Sequence, residues 1–351
     1  MARTLTIGAH TIGDDTNCYV IAEIGHNHQG DLETCRKMFR AAHEAGVSAV
    51  KLQKRDNRGL YTRAMYAKPY ENENSYGKTY GEHREALEFG EVEYRELVAE
   101  ARQLGVDFFA TAFDHASADF LAKLDMPAYK LASGDLKNVP LLTHVARFGK
   151  PMIVSTGGAE LDDVKRAYDA VMPVNPQLCL LQCTAGYPAP FEQLDLRVIA
   201  LFREMFPEAV IGFSGHDNGI AMSVAAYVLG ARVVEKHFTL NRTLKGTDHA
   251  FSLEPLGMKK MVRDLARTRE ALGDGAKKIY DSERAPIQKM GKMLVAARPL
   301  PAGHVLAPGD IAIKSPADGM PPYEIDKLIG AALVAAVDEE QPLSLPMVSR
   351  Q

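Results

Sequence analysis

Ile211-Gly-Phe-Ser-Gly-His-Asp-Asn-Gly219 is the stretch that most strongly indicates the fold, and one helix later it is followed by Val233-Val-Glu-Lys-His-Phe238. Each stretch is an apolar run that ends in two polar residues spaced two positions apart, Ser214 with His216 and Glu235 with His237. Because residues i and i+2 of a strand share one face, each pair points in one direction. Two histidines at the ends of neighbouring parallel strands predict a metal site. Core histidines satisfied by backbone groups are the structural alternative.

The composition is that of an ordinary globular chain. The 351 residues are 46% hydrophobic and 25% charged, and the formal net charge of -4 disfavours a nucleic-acid-binding surface. The four cysteines form no CxxC pair, which indicates free thiols in a reducing cytoplasm. We read no signal peptide, and the longest apolar runs are too short to cross a bilayer. A cytoplasmic protein that binds neither nucleic acid nor membrane is therefore expected.

Apolar runs alternate with segments of helical spacing between residues 18 and 272. The runs predict strands over 18–24, 47–52, 107–113, 128–132, 151–155, 178–183, 210–214 and 232–238. The segments predict helices over 31–45, 91–104, 116–124, 138–148, 160–171, 195–205, 219–229 and 256–272. Eight such units predict an α/β fold, the (β/α)8 TIM barrel. A doubly wound open sheet is disfavoured because no GxGxxG follows the first strand.

Three regions lie outside this alternation. Residues 2–16 predict a hairpin that closes one end of the barrel. The connection over 54–90 is long and rich in Tyr, Asn, Lys and Arg, which favours a lid over a flexible surface excursion. The predicted domains are a catalytic barrel over 1–272, a linker over 273–291 and a small β-rich domain over 292–351.

Lysines at two predicted strand ends indicate an anion site. Lys51 and Lys130 each close an otherwise apolar run, and a buried lysine is costly unless it is paired. Two lysines among several hydroxyl groups predict a bound phosphate or carboxylate. Internal salt bridges to Glu23 or Glu235 are one alternative, and a Schiff-base lysine is another.

The two histidines bring few carboxylates with them and leave coordination positions for water and a substrate oxygen. Mixed nitrogen and oxygen ligation suits Mn²⁺, Fe²⁺ or Zn²⁺ better than Ca²⁺. Such an ion polarises a carbonyl or lowers the pKa of a bound water. Asp248, just past the last strand, is placed either to hold a substrate hydroxyl or to cap its loop.

Six motifs resemble, in order, those of the sialic acid synthase family: Ile21-Ala-Glu-Ile-Gly-His-Asn-His-Gln-Gly-Asp31, Lys130-Leu-Ala-Ser-Gly-Asp135, Gln182-Cys-Thr-Ala-Gly-Tyr-Pro188, Gly212-Phe-Ser-Gly-His216, Glu235-Lys-His-Phe-Thr239 and Lys245-Gly-Thr-Asp-His-Ala-Phe-Ser-Leu-Glu-Pro255. The resemblance runs over nearly the whole chain. The segment from about Lys292 is similar to that family's antifreeze-like (SAF) domain. The resemblance further implies a domain-swapped homodimer.

That family condenses phosphoenolpyruvate (PEP) with an open-chain hexosamine aldehyde and forms a nine-carbon 2-keto acid and phosphate. The resemblance implies PEP binding by Lys51, Thr111, Lys130, Ser133, Ser155 and Ser214. It implies metal ligation by His216 and His237, with Mn²⁺ expected and Mg²⁺ or another divalent ion as the alternative. Glu23 matches the acidic residue beside the reacting carbons. The positions that face the sugar are Gln53, Asp135, Tyr187 and Asp248.

The implied reaction begins with attack of the PEP enol carbon on the metal-polarised aldehyde. Water then adds to the resulting oxocarbenium carbon, and the tetrahedral intermediate loses phosphate by C–O cleavage. The two lysines would act throughout as preorganised positive charge.

The acceptor sugar is indicated by departures from the bacterial free-sugar enzymes. Asp135 replaces their usual glutamate, and Ser315 stands where an arginine that reads the N-acyl group is typical. The loop 77–83 and the Ser-Gly-Asp135 sequence are closer to animal-type synthases, which use a sugar 6-phosphate. A second phosphate needs further cationic donors, for which the candidates are Lys54, Lys78, His83 and Arg84. Solvated surface charge is the alternative for these four.

Other functions stay open at this point. One is synthesis of a deaminated nonulosonate from mannose or mannose 6-phosphate, or of a related modified sugar. Another is a metal-dependent aldolase that uses pyruvate and releases no phosphate. A binding protein that has lost the chemistry predicts a broken set of lysines and histidines, yet every member is present: Glu23, Lys51, Lys130, His216 and His237.

Overall fold

A computed structural model describes residues 3–349 of the chain. The chain divides into two compact units, Met1–Gly273 and Asp274–Gln351. The first unit contains a closed eight-stranded parallel barrel and the second contains small antiparallel sheets, which confirms the predicted fold class. The outer ends of the two predicted domains, 1–2 and 350–351, lie outside the described residues.

The barrel strands occur where the apolar runs predict them, within two residues at each end. Two short strands come first, β1 (Leu5–Ile7) and β2 (His10–Ile12). The barrel strands are β3 (Tyr19–Gly25), β4 (Ala49–Lys54), β5 (Asp107–Ala112), β6 (Tyr129–Leu131), β7 (Met152–Ser155), β8 (Leu178–Cys183), β9 (Val210–Gly215) and β10 (Val233–His237). Each pairs in parallel with the next, and β10 pairs with β3 to close the barrel. Helices cover the outer face and side chains fill the interior, so the strands read as nearly continuous apolar runs.

The helices of the described chain are α1 (Leu32–Glu44), α2 (Asn57–Leu60), α3 (Arg63–Tyr66), α4 (Tyr80–Glu85), α5 (Glu91–Leu104), α6 (His115–Lys123), α7 (Val139–Ala146), α8 (Leu161–Val171), α9 (Arg197–Met205), α10 (Ala221–Val228), α11 (Pro255–Leu272) and α12 (Asp281–Met290). All eight predicted helices are confirmed. Local sequence fixes their ends: Asp31 caps α1 by accepting a hydrogen bond from the Thr34 amide, and Gly105, at φ 72°, ends α5.

The predicted hairpin lies at the amino-terminal end of the barrel. Strands β1 and β2 pair antiparallel, and their buried residues join the barrel's apolar core. Asp107, the first residue of β5, accepts hydrogen bonds from the Tyr19 hydroxyl at 2.8 Å and from the His10 ring at 3.0 Å. The hairpin therefore covers the end of the barrel opposite the carboxyl ends of the strands.

The long connection after β4 contains the three short helices α2, α3 and α4. A capping box starts α4: the Thr79 hydroxyl accepts from the Glu82 amide, and the Glu82 carboxylate accepts from the Thr79 amide, each at 3.2 Å. Part of this connection is thus fixed by its own polar contacts.

The second unit has its own apolar core, formed by residues that include Leu294, Leu300, Leu306, Leu328 and Leu343. Its strands are β11 (Met293–Ala296), β12 (Ile311–Lys314), β13 (Ala332–Leu333) and β14 (Val348–Ser349), paired β11 with β12 and β13 with β14. Helix α12 lies within the segment predicted as a linker. No helix among residues 3–349 is long and apolar enough to span a membrane.

Candidate active site

A cavity of about 610 Å³ opens among the carboxyl ends of the barrel strands. Strand register brings polar residues from separate runs to this rim: His237 lies beside Glu23, and Glu23 lies beside Lys51. Thr111 likewise lies beside Lys130. The lining includes most of the predicted site residues: Glu23, Lys51, Gln53, His83, Arg84, Thr111, Lys130, Ser133, Ser155, Tyr187, Ser214, His216, His237 and Asp248.

Three predicted site residues are not part of this lining. The Lys54 ammonium donates instead to the Glu88 carboxylate at 3.0 Å and the Phe89 carbonyl at 2.9 Å. Lys78 is exposed, and the Asp135 carboxylate accepts from the Asn138 amide at 3.2 Å. Lys54, Lys78 and Asp135 therefore lie outside the described lining of the cavity, and Lys54 already has an ion-pair partner.

The two predicted lysines converge at the base of the cavity, and each is at most 3% exposed. Lys51 Nζ donates to Thr111 Oγ1 at 2.8 Å and pairs with Glu23 Oε2 at 2.7 Å. Lys130 Nζ donates to Ser155 Oγ at 2.7 Å, and both ammonium groups lie within 4 Å of Glu235 Oε1. The internal ion pairs and the clustered hydroxyl groups thus occur together, so the base of the cavity is both charge-balanced and rich in donors for an anion.

The two glutamates have opposite electrostatic environments. Burial and the neighbouring Glu235 charge raise the pKa of Glu23, although Lys51 opposes this. Burial opposes ionisation of Glu235 as well, but Lys130 and Lys51 together hold its pKa below the usual range. Two carboxyl groups whose pKa values are pushed apart suit different roles, with Glu23 able to carry a proton and Glu235 a lasting negative charge.

The two predicted metal ligands are neighbours, with ring centroids 5.3 Å apart. His216 Nδ1 lies 2.9 Å from the Thr184 carbonyl oxygen, which only accepts, so Nδ1 carries the hydrogen and Nε2 keeps its lone pair. Burial and the nearby His237 lower the pKa of His216 to about 4. His216 is thus neutral at pH 7, as a metal ligand must be.

The donor chemistry fits a divalent ion held by two imidazoles. His237 Nδ1 is buried with no hydrogen-bond partner, and its nearest carboxylate oxygen, Asp248 Oδ2, lies 3.6 Å away. The Tyr187 ring packs against His216 at a tilt of 31°, with ring centroids 4.2 Å apart. Among residues 3–349 there is no group of three or more His, Cys, Asp or Glu side chains placed to hold an ion.

Several residues of the lining were not predicted. They include Glu235, for which no catalytic or binding role is predicted, and a further set of residues: His26, Arg55, Asn74, Tyr76 and Phe113. One signal was available for Arg55: it lies two residues after Gln53 and four after Lys51, so the three alternate positions point to one face. Nothing in the local pattern marks Asn74 or Tyr76, because they belong to a connection without periodicity.

Comparison with known proteins gives consistent results. Residues 38–277 match the NeuB family and residues 291–349 match the SAF domain. The N-acetylneuraminate-9-phosphate synthase of Homo sapiens is 40% identical over 338 residues, which is 96% of this chain and 94% of that protein. The N,N'-diacetyllegionaminic acid synthase of Legionella pneumophila is 34% identical over 327 residues, which is 92% of each chain.

A solved structure agrees with these relatives. The N-acetylneuraminic acid synthetase from Leptospira borgpetersenii matches with a TM-score of 0.72 at 30% identity, over 82% of this chain and 96% of that one. Barrel, cavity and appended domain together define a synthase built on a (β/α)8 barrel with a SAF domain. The chain belongs to the NeuB family, which confirms the predicted family and enzyme class.

Proposed function

We propose that the chain condenses PEP with the open-chain aldehyde of N-acetylmannosamine or of its 6-phosphate. The products are N-acetylneuraminate or its 9-phosphate, together with inorganic phosphate. One observation carries the proposal: two buried lysines bonded to hydroxyl groups, Lys51 with Thr111 and Lys130 with Ser155, share one cavity with two adjacent imidazoles. The human relative at 40% identity is named as a synthase of the 9-phosphate.

The base of the cavity is the site proposed for PEP. A trianionic ligand there exchanges the contacts that Lys51 and Lys130 make with Glu23 and Glu235 for contacts with its own carboxylate and phosphate. The hydroxyls of Ser133, Ser155, Ser214 and Thr111 add neutral donors that need no counter-charge. Since the donors are already in place, little reorganisation is needed as charge moves in the reaction.

Glu23 is proposed to handle the proton. Two observations support this role: the pKa of Glu23 is raised, so the carboxyl group can carry a proton, and Glu23 contacts Lys51 at the base of the cavity proposed for PEP. As water adds to C2 of the condensed product, the carboxylate takes the proton of that water. That proton is returned to the departing phosphate as the C–O bond breaks. The second proton of the water leaves the C2 hydroxyl as the C2 carbonyl forms, and it goes to the former aldehyde oxygen, which becomes a hydroxyl group.

We propose Mn²⁺, with Mg²⁺ as the alternative, as an ion held by His216 and His237. When bound, such an ion polarises the aldehyde carbonyl of the acceptor. The chain itself contributes two imidazoles, one of them fixed in its tautomer by the Thr184 carbonyl. Tyr187 and Asp248 line the cavity near His237, which supports the proposal that they hold the sugar.

A phosphate-release assay with PEP and Mn²⁺ tests the proposal. Four acceptors are compared: N-acetylmannosamine, its 6-phosphate, mannose and mannose 6-phosphate. We expect release of one phosphate per nonulosonate formed, with an N-acetylated acceptor preferred. Preference for mannose or its 6-phosphate would replace the proposal by a deaminated-nonulosonate synthase. Consumption of pyruvate without phosphate release would overturn it in favour of an aldolase.

We further propose that the enzyme acts in the cytoplasm as a homodimer in which the SAF domain of one subunit covers the cavity of the other. Membership of the NeuB family supports the assembly through the resemblance described above. Sedimentation of the active protein should show a dimer. A monomer of undiminished activity contradicts this assembly.

A further inference from the structure

An outer cluster of cationic and aromatic groups lines the cavity in addition to the lysine site. It consists of Arg55, just after β4, Arg84 in α4, and His26 in the loop after β3. Arg55 is 7% exposed, although it carries a permanent charge. Its guanidinium lies over the Phe113 ring, 3.6 Å from the ring centroid. A buried, always-ionised group in a cavity wall requires a source of compensating charge.

Neither guanidinium has a carboxylate partner. Among residues 3–349 no carboxylate oxygen lies within 4.0 Å of Arg55 or Arg84, and the nearby Glu88 pairs with Lys54 and approaches the His26 ring at 3.7 Å. Asp248 lines the same cavity and acts on Arg84 only at longer range. The cluster therefore has net positive charge, and the two guanidinium groups repel each other.

His26 cannot satisfy both guanidinium groups. Its Nε2 lies 3.3 Å from an Arg55 nitrogen and its Nδ1 lies 3.3 Å from an Arg84 nitrogen. Burial, together with Arg55 and Arg84, lowers the pKa of His26 far below its usual value, so the ring is neutral. A neutral imidazole accepts at one nitrogen only. At least one of the two N–H groups that face His26 therefore has no acceptor there.

The cluster is connected to the reaction centre by hydrogen bonds along one face of β4. Arg55 donates to Gln53 Oε1 at 2.7 Å, and Gln53 Nε2 donates to Glu23 Oε1 at 2.7 Å. Glu23 in turn pairs with Lys51. Four residues of extended chain, at about 3.3 Å each, put Arg55 roughly 13 Å further along the strand direction than Lys51. The cavity thus has two cationic sites separated along its length.

We propose that Arg55, Arg84 and His26 form a second anion site that binds the terminal phosphate of a phosphorylated aldose acceptor. A phosphate dianion provides several acceptor oxygens, two full charges and a geometry that matches paired guanidinium groups. An open-chain aldose 6-phosphate carries its aldehyde and its phosphate at opposite ends, as the separation of the two sites requires. The inference rests on the proposed function for the identity of the reaction, and it selects the phosphorylated acceptor.

The test compares the wild type with Arg84→Gln and Arg55→Gln in two measurements. The first is calorimetric binding of N-acetylmannosamine and of its 6-phosphate to the intact chain. The second is kcat and KM for each acceptor, with the KM for PEP as a check on the base of the cavity. Arg58→Gln is the matched control, because Arg58 belongs to the same connection but has a side chain that is 76% exposed and does not line the cavity.

We expect the wild type to bind the 6-phosphate more tightly than the free sugar. We expect each cluster variant to lose roughly 10- to 100-fold in kcat/KM for the 6-phosphate, mainly through KM, since a hydrogen bond to a charged group is removed. In both variants the loss should be larger for the 6-phosphate than for the free sugar, although Arg55→Gln also removes the hydrogen bond to Gln53. The KM for PEP should change less than the KM for the 6-phosphate, and Arg58→Gln should match the wild type. Equal binding of the two sugars by the wild type overturns the inference, and so does equal loss for both acceptors in the variants.

These outcomes separate the inference from the proposed reaction. Absence of PEP-dependent phosphate release with any acceptor contradicts the proposed function, whereas the binding comparison still decides the phosphate site. Turnover that is indifferent to the sugar phosphate contradicts the phosphate site and leaves the synthase reaction standing. Circular dichroism shows whether a variant is folded. If only one of Arg55→Gln and Arg84→Gln retains the wild-type spectrum, the kinetics of that variant test the phosphate site.

Discussion

Single residues of the cavity differ in what they do for folding and what they do for chemistry. Lys51, Lys130, Glu23 and Glu235 form one buried charge network, so removal of one member leaves an uncompensated charge and destabilises the barrel. His237 is different, because its Nδ1 makes no hydrogen bond within the described part of the chain. Its substitution is therefore the cleaner probe of function.

His237→Ala is expected to fold and to lose both divalent-ion binding and activity. Substitution of a residue that hydrogen-bonds to a metal ligand typically lowers metal affinity roughly 10- to 100-fold. Loss of the ligand itself should lower it by at least as much. Calorimetric titration with Mn²⁺ and the phosphate-release assay measure the two losses. The control is His43→Ala on exposed His43 of α1. Full activity of the His237 variant after chelation of metal would show that these imidazoles hold no catalytic ion.

Among the structural elements, α4 has the most direct effect on the outer cluster. This helix is only six residues long and presents both His83 and Arg84 to the cavity. A helix this short is not stable by propensity alone, so its ends and its contacts must fix it. The capping box of Thr79 and Glu82 supplies the fixed start, which links a local sequence signal to the position of a guanidinium group in the cavity.

Thr79→Ala removes the hydroxyl that accepts from the Glu82 amide, which typically costs about 1 kcal/mol of helix stability. We expect α4 to exchange its amide hydrogens faster and the KM for a phosphorylated acceptor to rise, with little change in the KM for PEP. Thr79→Ser keeps the hydroxyl and should behave like the wild type. Identical kinetics and exchange in the alanine and serine variants would show that the cap does not position Arg84.

At the scale of the whole molecule, each of the two units has its own apolar core. The second unit is small, and a small core supplies little net stability, so individual polar contacts count for more there. Asp310 is the main such contact. Its carboxylate is buried and accepts hydrogen bonds from His304, Arg298 and the Ala307 amide at 2.7, 2.7 and 2.9 Å.

The hydrogen bond from His304, with those from Ala307 and Arg298, lowers the pKa of Asp310 to about 2. A depressed pKa stabilises the fold above the unfolded value of about 3.9, and this stabilisation is lost as the pH falls toward about 2.

We therefore expect Asp310→Asn to destabilise the second unit at pH 7, and the difference from the wild type to shrink between about pH 4 and pH 2. Hydrogen exchange over 293–349, corrected for intrinsic rates, measures this. Asp318→Asn, at an exposed carboxylate, is the control. A difference that is constant with pH would contradict the assignment.

The sequence by itself determined the barrel and the base of its cavity. Eight apolar runs with helices between them favour a closed barrel over an open sheet, and parallel strands bring their carboxyl ends to one rim. The polar residues at those ends therefore lie at one rim, whatever the path of the loops between them. They are Lys51, Lys130, His216 and His237.

Only the tertiary structure decided the outer part of the cavity. The connection over 54–90 has no periodicity, so its sequence does not say which cations turn inward and which find partners elsewhere. Lys54 pairs with Glu88, whereas its neighbour Arg55 lines the cavity without a carboxylate partner. The physical reason is that a charge is directed by the nearest partner in space, and that partner is fixed by packing rather than by position along the chain.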